Sequence, residues 1–172
     1  MSWLKCIGLV CLLAVVSSCA KHETNQAGYE PIKSFSGRLL VLDPKHRFQV
    51  ELDWLASEER GLLRLTHALS GRVVFVHWQG QNMYWRDNDK MLNWQGMSVA
   101  QLHEMGVLLP PWTLAKIFLG QYPDTMHSKD ERLWKGEWDG HKLQIKWINH
   151  YKRVEITDFK RGRKAVVIIN DE

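Results

Sequence analysis

The chain has 172 residues, with 23 Lys+Arg against 19 Asp+Glu, three Cys, nine Trp and 45% hydrophobic residues. That length suits one domain with a real core, and these apolar and charged fractions exclude a disordered chain, a collagen-like rod and a coiled coil. The one long apolar run, Cys6 to Val16, is too short to span a bilayer, which excludes a polytopic membrane protein.

The chain begins Met-Ser-Trp-Leu-Lys, continues into that apolar run and reaches Val16-Ser17-Ser18-Cys19. One positive charge, a short hydrophobic stretch and small residues before a boundary predict a secretory signal peptide over residues 1–18, removed from the mature protein. The ending resembles a bacterial lipobox, so Cys19 is the expected lipid anchor, acylated (palmitate among its chains) and N-terminal. Cys6 and Cys11 lie within the signal, which leaves Cys19 without a disulfide partner and rules out a thiolate metal site. Ala20 stands where sorted lipoproteins kept at the inner membrane carry Asp, so the expected location is the periplasmic face of the outer membrane. Residues 19–34 are expected to be the lipidated N-terminus and a flexible tether, being polar and carrying Gly28 and Pro31. Loss of Lys5 with the signal leaves a mild positive charge borne by dispersed residues, which does not indicate nucleic acid. The densest group, Lys160, Arg161, Arg163 and Lys164 around Gly162, reads as a solvated hairpin turn, with contact to membrane headgroups as the alternative.

From Phe35 the dominant period is two. Gly37 to Leu42 is followed by an Asp43-Pro44-Lys45-His46 turn, and Phe48, Val50, Leu52 and Trp54 alternate with Gln49, Glu51 and Asp53. Glu58-Glu59-Arg60 is a polar hairpin loop; Leu63 and Leu65 alternate with Arg64 and Thr66, and Val73 to Trp78 reads as a central strand. Met83–Arg86 and Met91–Trp94 flank Asp87-Asn88-Asp89, a hairpin signal. Ser98 with Gln101 forms a capping box for a short helix that Gly106 stops, and Pro111 opens a second helix that Gly120 ends. Strands resume after Pro123: Leu133–Trp138 and Lys142–Ile148 meet at Asp139-Gly140, then Val154–Ile156 and Val166–Ile169 close the sheet. The fold class expected is mainly β (α+β): an open antiparallel half-barrel of about nine strands, with short helices covering an apolar cavity.

No nucleophile elbow, phosphate-cradling loop or His-Glu-x-x-His occurs, and the eight His are scattered singly, so neither enzyme activity nor a metal or other cofactor is expected. Eight Trp follow the signal; they are either sheet core or the lining of an apolar cavity. In Thr66-His67-Ala68-Leu69-Ser70-Gly71 a large apolar side chain stands at the tip of a connection, where polar residues are the rule.

These residues resemble a known family, the outer-membrane lipoprotein receptor LolB, over about Phe35 to Ile169. The resemblance is carried by Phe35-Ser36-Gly37-Arg38-Leu39 and by Leu65-Thr66-His67-Ala68-Leu69-Ser70, with His67-Ala68 where the family often has Asn-Pro. Leu109-Pro110-Pro111-Trp112, then Phe118-Leu119-Gly120 with Pro123, and the lipobox complete it. It implies a lipid-binding half-barrel domain over residues 35–172 that acts as a monomeric chaperone of lipoprotein localisation and protein transport. Its partners would be a LolA-type periplasmic carrier, the acyl chains of substrate lipoproteins and the inner leaflet of the outer membrane. It implies a membrane-insertion role for Leu69. Two 16-carbon chains exposed to water cost roughly 25 kcal/mol, so such a transfer needs an apolar cavity. By alternation, Val50, Leu52, Trp54, Leu63, Leu65, Val74 and Val76 are expected to line it. The rival readings are an envelope lipoprotein that binds another apolar lipid, and a structural or assembly lipoprotein with a plugged core.

Overall fold

The computed structural model describes residues 29–44, 47–89, 93–105, 107–138 and 140–170. The expected signal peptide, Cys19, the turn residues His46 and Asp139, the strand residue Met91 and the terminator Gly106 lie outside the described residues. The first half forms β1 (Ser34–Leu42), β2 (Arg47–Ala56), β3 (Arg60–Thr66), β4 (Val73–Gln79), β5 (Asn82–Asp87) and β6 (Gln95–Met97). Two short helices follow, α1 (Val99–Glu104) and α2 (Pro111–Phe118). The chain ends with β7 (Met126–Ser128), β8 (Leu133–Trp138), β9 (His141–Ile148), β10 (Arg153–Asp158) and β11 (Arg163–Ile169).

All eleven strands belong to one antiparallel sheet, in the order β6-β5-β4-β3-β2-β1-β11-β10-β9-β8-β7. β1 is central, pairing with β2 on one side and β11 on the other. The chain meanders outward to β6, the helices carry it to the opposite edge at β7, and it meanders back. Register places Leu39 opposite both Val50 and Val167, Leu52 opposite Leu65, and Leu63 opposite Val76. The alternating apolar residues therefore share one face, because a strand's period of two is preserved across a ladder.

The helices cover that face. Ser98 and Gln101 make the reciprocal capping box at α1, and Pro111 occupies the first turn of α2, where its missing N–H costs nothing. The chain leaves α2 through Gly120 at φ +73°, a left-handed conformation that favours glycine. Phe118 at the end of α2 sits with its ring centroid 5.2 Å from Phe35, 5.1 Å from Trp54 and 6.0 Å from Trp147. It thereby ties β1, β2 and β9 together, and burying such a ring contributes about 1.5–3 kcal/mol.

Three expectations need correction. Among the described residues the strands number eleven rather than about nine, since Gln95–Met97 and Met126–Ser128 are three-residue edge strands fixed by their partners rather than by a period of their own. Of the strand expected over Met91–Trp94, residues 91 and 92 lie outside the described residues, and residues 93 and 94 precede β6 without strand pairing. Trp94 instead packs edge-to-face on His77 at 4.4 Å and beneath the Arg86 guanidinium at 5.0 Å. Residues 29–33, expected within the tether, pack on the domain. Tyr29 donates its hydroxyl to the Phe118 carbonyl at 2.6 Å, and the Ile32 N–H donates to the same oxygen at 2.7 Å. Burial pushes the Tyr29 phenol far above its ordinary pKa, so it remains a neutral donor.

Candidate functional site

Between the first half of the sheet and the helices lies a cavity of about 540 Å³. Leu39, Phe48, Val50, Leu63, Leu65, Val74, Val76 and Trp85 line it from the sheet. Met97, Leu102, Met105, Val107, Leu109, Pro111 and Leu114 close it from the helical side. Its polar lining is confined to His67, Ser70 and Arg72, all on the connection between β3 and β4. That volume falls within the range of about 300–1,000 Å³ of ordinary ligand pockets and has room for one long acyl chain.

Of the seven residues expected to line it, Val50, Leu63, Leu65, Val74 and Val76 border the cavity, whereas Leu52 and Trp54 do not. Leu52 and Trp54 point to the same face but belong to the packed core, with Trp54 closed in by Phe118 at 5.1 Å and Trp78 at 5.2 Å. Alternation selects the face of a strand and is silent on how deep a helix side chain plugs it. Phe48 follows the predicted pattern outward along β2 and was within its reach, and Leu39 joins the face from β1, where it stands opposite Val50. The helical contributors, Leu102 and Leu114 among them, carried a signal only as the apolar sides of their helices.

The second half of the sheet is filled. Ile145, Val154, Ile156 and Trp147 are buried, and Trp147 donates its indole N–H to Tyr122 at 2.7 Å, with Trp134 stacked on that phenol at 4.0 Å. Most Trp thus serve as core or cover, and Trp85 alone lines the cavity.

The connection from β3 to β4 brings Leu69 to the cavity's polar border. The His67 N–H donates to the Arg72 carbonyl and the Gly71 N–H to the His67 carbonyl, both at 2.9 Å, with Gly71 at φ +66° supplying the tight return. The Ser70 N–H donates to His67 Nδ1 at 3.3 Å, so the imidazole takes the side-chain acceptor role that Asn plays in such turns. Arg72 Nε donates to the wholly buried Asp87 carboxylate at 2.6 Å, pinning the base of the hairpin to β5. Leu69 at the tip is 95% exposed. Leaving a Leu in water on a hydrogen-bonded turn forgoes about 2 kcal/mol of burial.

A polar brace stands on the far side of α1. The imidazoles of His103 and His141 lie 5.4 Å apart, and His141 Nδ1 is 3.1 Å from Asp158, a wholly buried carboxyl. Burial alone would push Asp158 up. The His141 contact and the N–H groups of Arg161 and Lys160 outweigh it and hold the carboxyl below its ordinary range. Among the described residues no group of three or more His, Cys, Asp or Glu is arranged to hold a metal, and no helix is long and apolar enough to cross a membrane.

No protein-family model matches the chain, and no curated protein does. Among solved structures, a LolA superfamily protein from Nitrosomonas europaea is similar, at 14% identity over 84% of this chain and 87% of that one, with a TM-score of 0.49. A likeness at that level carries no argument about what this chain binds.

Proposed function

We propose that this protein is an outer-membrane lipoprotein receptor, anchored through Cys19, that accepts acylated lipoproteins from a LolA-type periplasmic carrier and passes them into the membrane. One observation carries the reading: an apolar cavity sized for an acyl chain is bordered by a rigid hairpin whose tip is a fully exposed Leu. A passive binder of lipid needs the cavity and has no use for the tip. The cavity removes acyl methylenes from water, at about 0.8 kcal/mol each, and Leu69 gives the protein a point of entry into the bilayer at the cavity's edge. Binding of a free fatty acid or another single-chain lipid is the second reading, favoured by a volume that fits one chain rather than several.

The test is a transfer assay. A labelled acylated lipoprotein on its carrier is mixed with the chain from residue 19, Cys19→Ser, carrying either Leu69 or Leu69→Glu. Uptake by both, with delivery to liposomes reduced at least tenfold only in the variant, is the expected result. Absence of uptake by a folded protein from an active carrier overturns the receptor reading.

A further inference from the structure

The rim that carries Leu69 holds a second apolar tip. Register pairs Thr66 with Val73, Leu42 with both Arg47 and Lys164, and Asp158 with Arg163. The β3–β4 hairpin, the β1–β2 turn and the β10–β11 turn therefore emerge at the same end of the sheet. At the last of these Phe159 is 60% exposed, followed by exposed Lys160 and Arg161. The turn is built rather than loose. Asp158 accepts from the N–H of Lys160 at 2.9 Å and of Arg161 at 3.2 Å, and the Phe159 N–H donates to the Lys142 carbonyl at 3.2 Å. Arg163 pairs with Asp43, which joins this turn to the β1–β2 turn between the two tips.

The charge beside the second tip is mostly positive. Asp43, Asp87 and Asp158 are buried and paired, while Arg47, Lys142, Lys160 and Arg161 are exposed; of the exposed acids at this end, Glu137 stands opposite Lys142, Asp89 follows β5 beyond the β3–β4 hairpin, and Glu104 ends α1. The two tips stand four strand spacings apart, about 19 Å along the sheet at about 4.8 Å per strand. An exposed aromatic with two flanking cations on a fixed turn is the chemistry that sits at a headgroup layer, the ring at the interface and the cations on lipid phosphates.

We propose that the Phe159-Lys160-Arg161 turn is a second membrane-contact site, specific for anionic phospholipid, which together with Leu69 sets the cavity's edge against the bilayer. The proposal rests on the lipid-handling reading for its purpose, and on the rim alone for its geometry. One contact leaves the body free to swing about a point; two contacts on one rim restrict that swing and keep the cavity's border near the lipid.

All the described elements and core residues lie within residues 29–170, so the chain from residue 19 with Cys19→Ser retains every one of them. Its binding is measured by flotation with vesicles of phosphatidylcholine alone and of phosphatidylcholine with phosphatidylglycerol in equal parts. Lys160→Gln with Arg161→Gln is expected to weaken binding to the anionic vesicles about 25-fold, fivefold per charge, and to leave neutral vesicles unchanged. Phe159→Ser is expected to weaken binding to both. The altered side chains make none of the turn's hydrogen bonds, so thermal unfolding of all variants should coincide with the parent. Anionic-vesicle binding equal to the parent in both variants overturns the proposal, as does a parent that fails to prefer anionic vesicles. Uptake from the carrier is scored separately: its loss in the parent defeats the receptor reading, whereas intact uptake with unaltered vesicle binding defeats only the second contact.

Discussion

Val74→Phe separates a cavity from a core. Val74 borders the open volume from β4, opposite Leu65 on β3. Phe carries four more side-chain carbons than Val, which at about 30 Å³ each consume about 120 Å³, nearly a quarter of the 540 Å³ available. An acyl chain then loses room for about four methylenes, or about 3 kcal/mol, on the order of a hundredfold in affinity. Stability should move by no more than about 1 kcal/mol, because the added ring enters space and displaces no neighbour. Ile145→Phe is the control: Ile145 is fully buried in the filled half of the sheet, where overpacking costs about 1–3 kcal/mol. Urea unfolding gives the stabilities, and displacement of a fluorescent fatty acid gives the affinities. If Val74→Phe unfolds as readily as Ile145→Phe, the volume is not open. If it is stable and binds the probe as the parent does, the acyl chain lies elsewhere.

Gly37→Ala should disrupt the centre of the sheet, since a Cβ there would lie 2.1 Å from the Ile168 carbonyl oxygen on β11. A loss of about 3 kcal/mol or failure to fold is expected by urea unfolding, from the forced separation of the two central strands. Acid should weaken the fold through Asp158: a carboxyl held below its ordinary pKa contributes stability that is complete above about pH 4 and lost as pH falls through the folded value. Asp158→Asn should therefore lower Tm at neutral pH, by about 1–3 kcal/mol in stability, and show a shallower decline than the parent below about pH 4.

The strands that were legible in the sequence are those long enough to show a period. β2 and β9 alternate over four and three apolar positions, and their faces follow directly. The capping box of α1 and the place of Leu69 at the tip of the β3–β4 connection were legible for a different reason, both being decided within a few residues of chain; the exposure of Leu69 was not legible. What escaped depends on contacts far apart in sequence. β6 and β7 exist through their partners, Tyr29 docks from a polar stretch through its hydroxyl and its ring contacts with Trp147 and Tyr151, and Trp54 is core rather than lining because Phe118, 64 positions later, reaches over it. The lining was thus readable as a face, and its boundary was not.

That boundary gives the molecule a direction. Phe118, Trp54, Trp78 and the Tyr29 segment close the cavity's side of the sheet at the end where β1 begins, while the polar border of the cavity, Leu69 and Phe159 all belong to the end where β1 finishes. Nine residues of β1 separate these ends by about 30 Å. An anchor at Cys19 would reach the body at Tyr29, on the closed end, through residues 20–28, whose greatest span to either side is about 33 Å. On the receptor reading, a lipid anchor and a membrane-facing rim at opposite ends meet one membrane only if the connecting stretch can span the body, and fully extended it can. A segment much shorter would hold the closed end against the bilayer and turn the cavity's border toward the aqueous side, the orientation suited to meeting a carrier. On the receptor reading, a stretch of that length permits both orientations, so that receiving a lipid and releasing it would differ in which end of the domain faces the membrane.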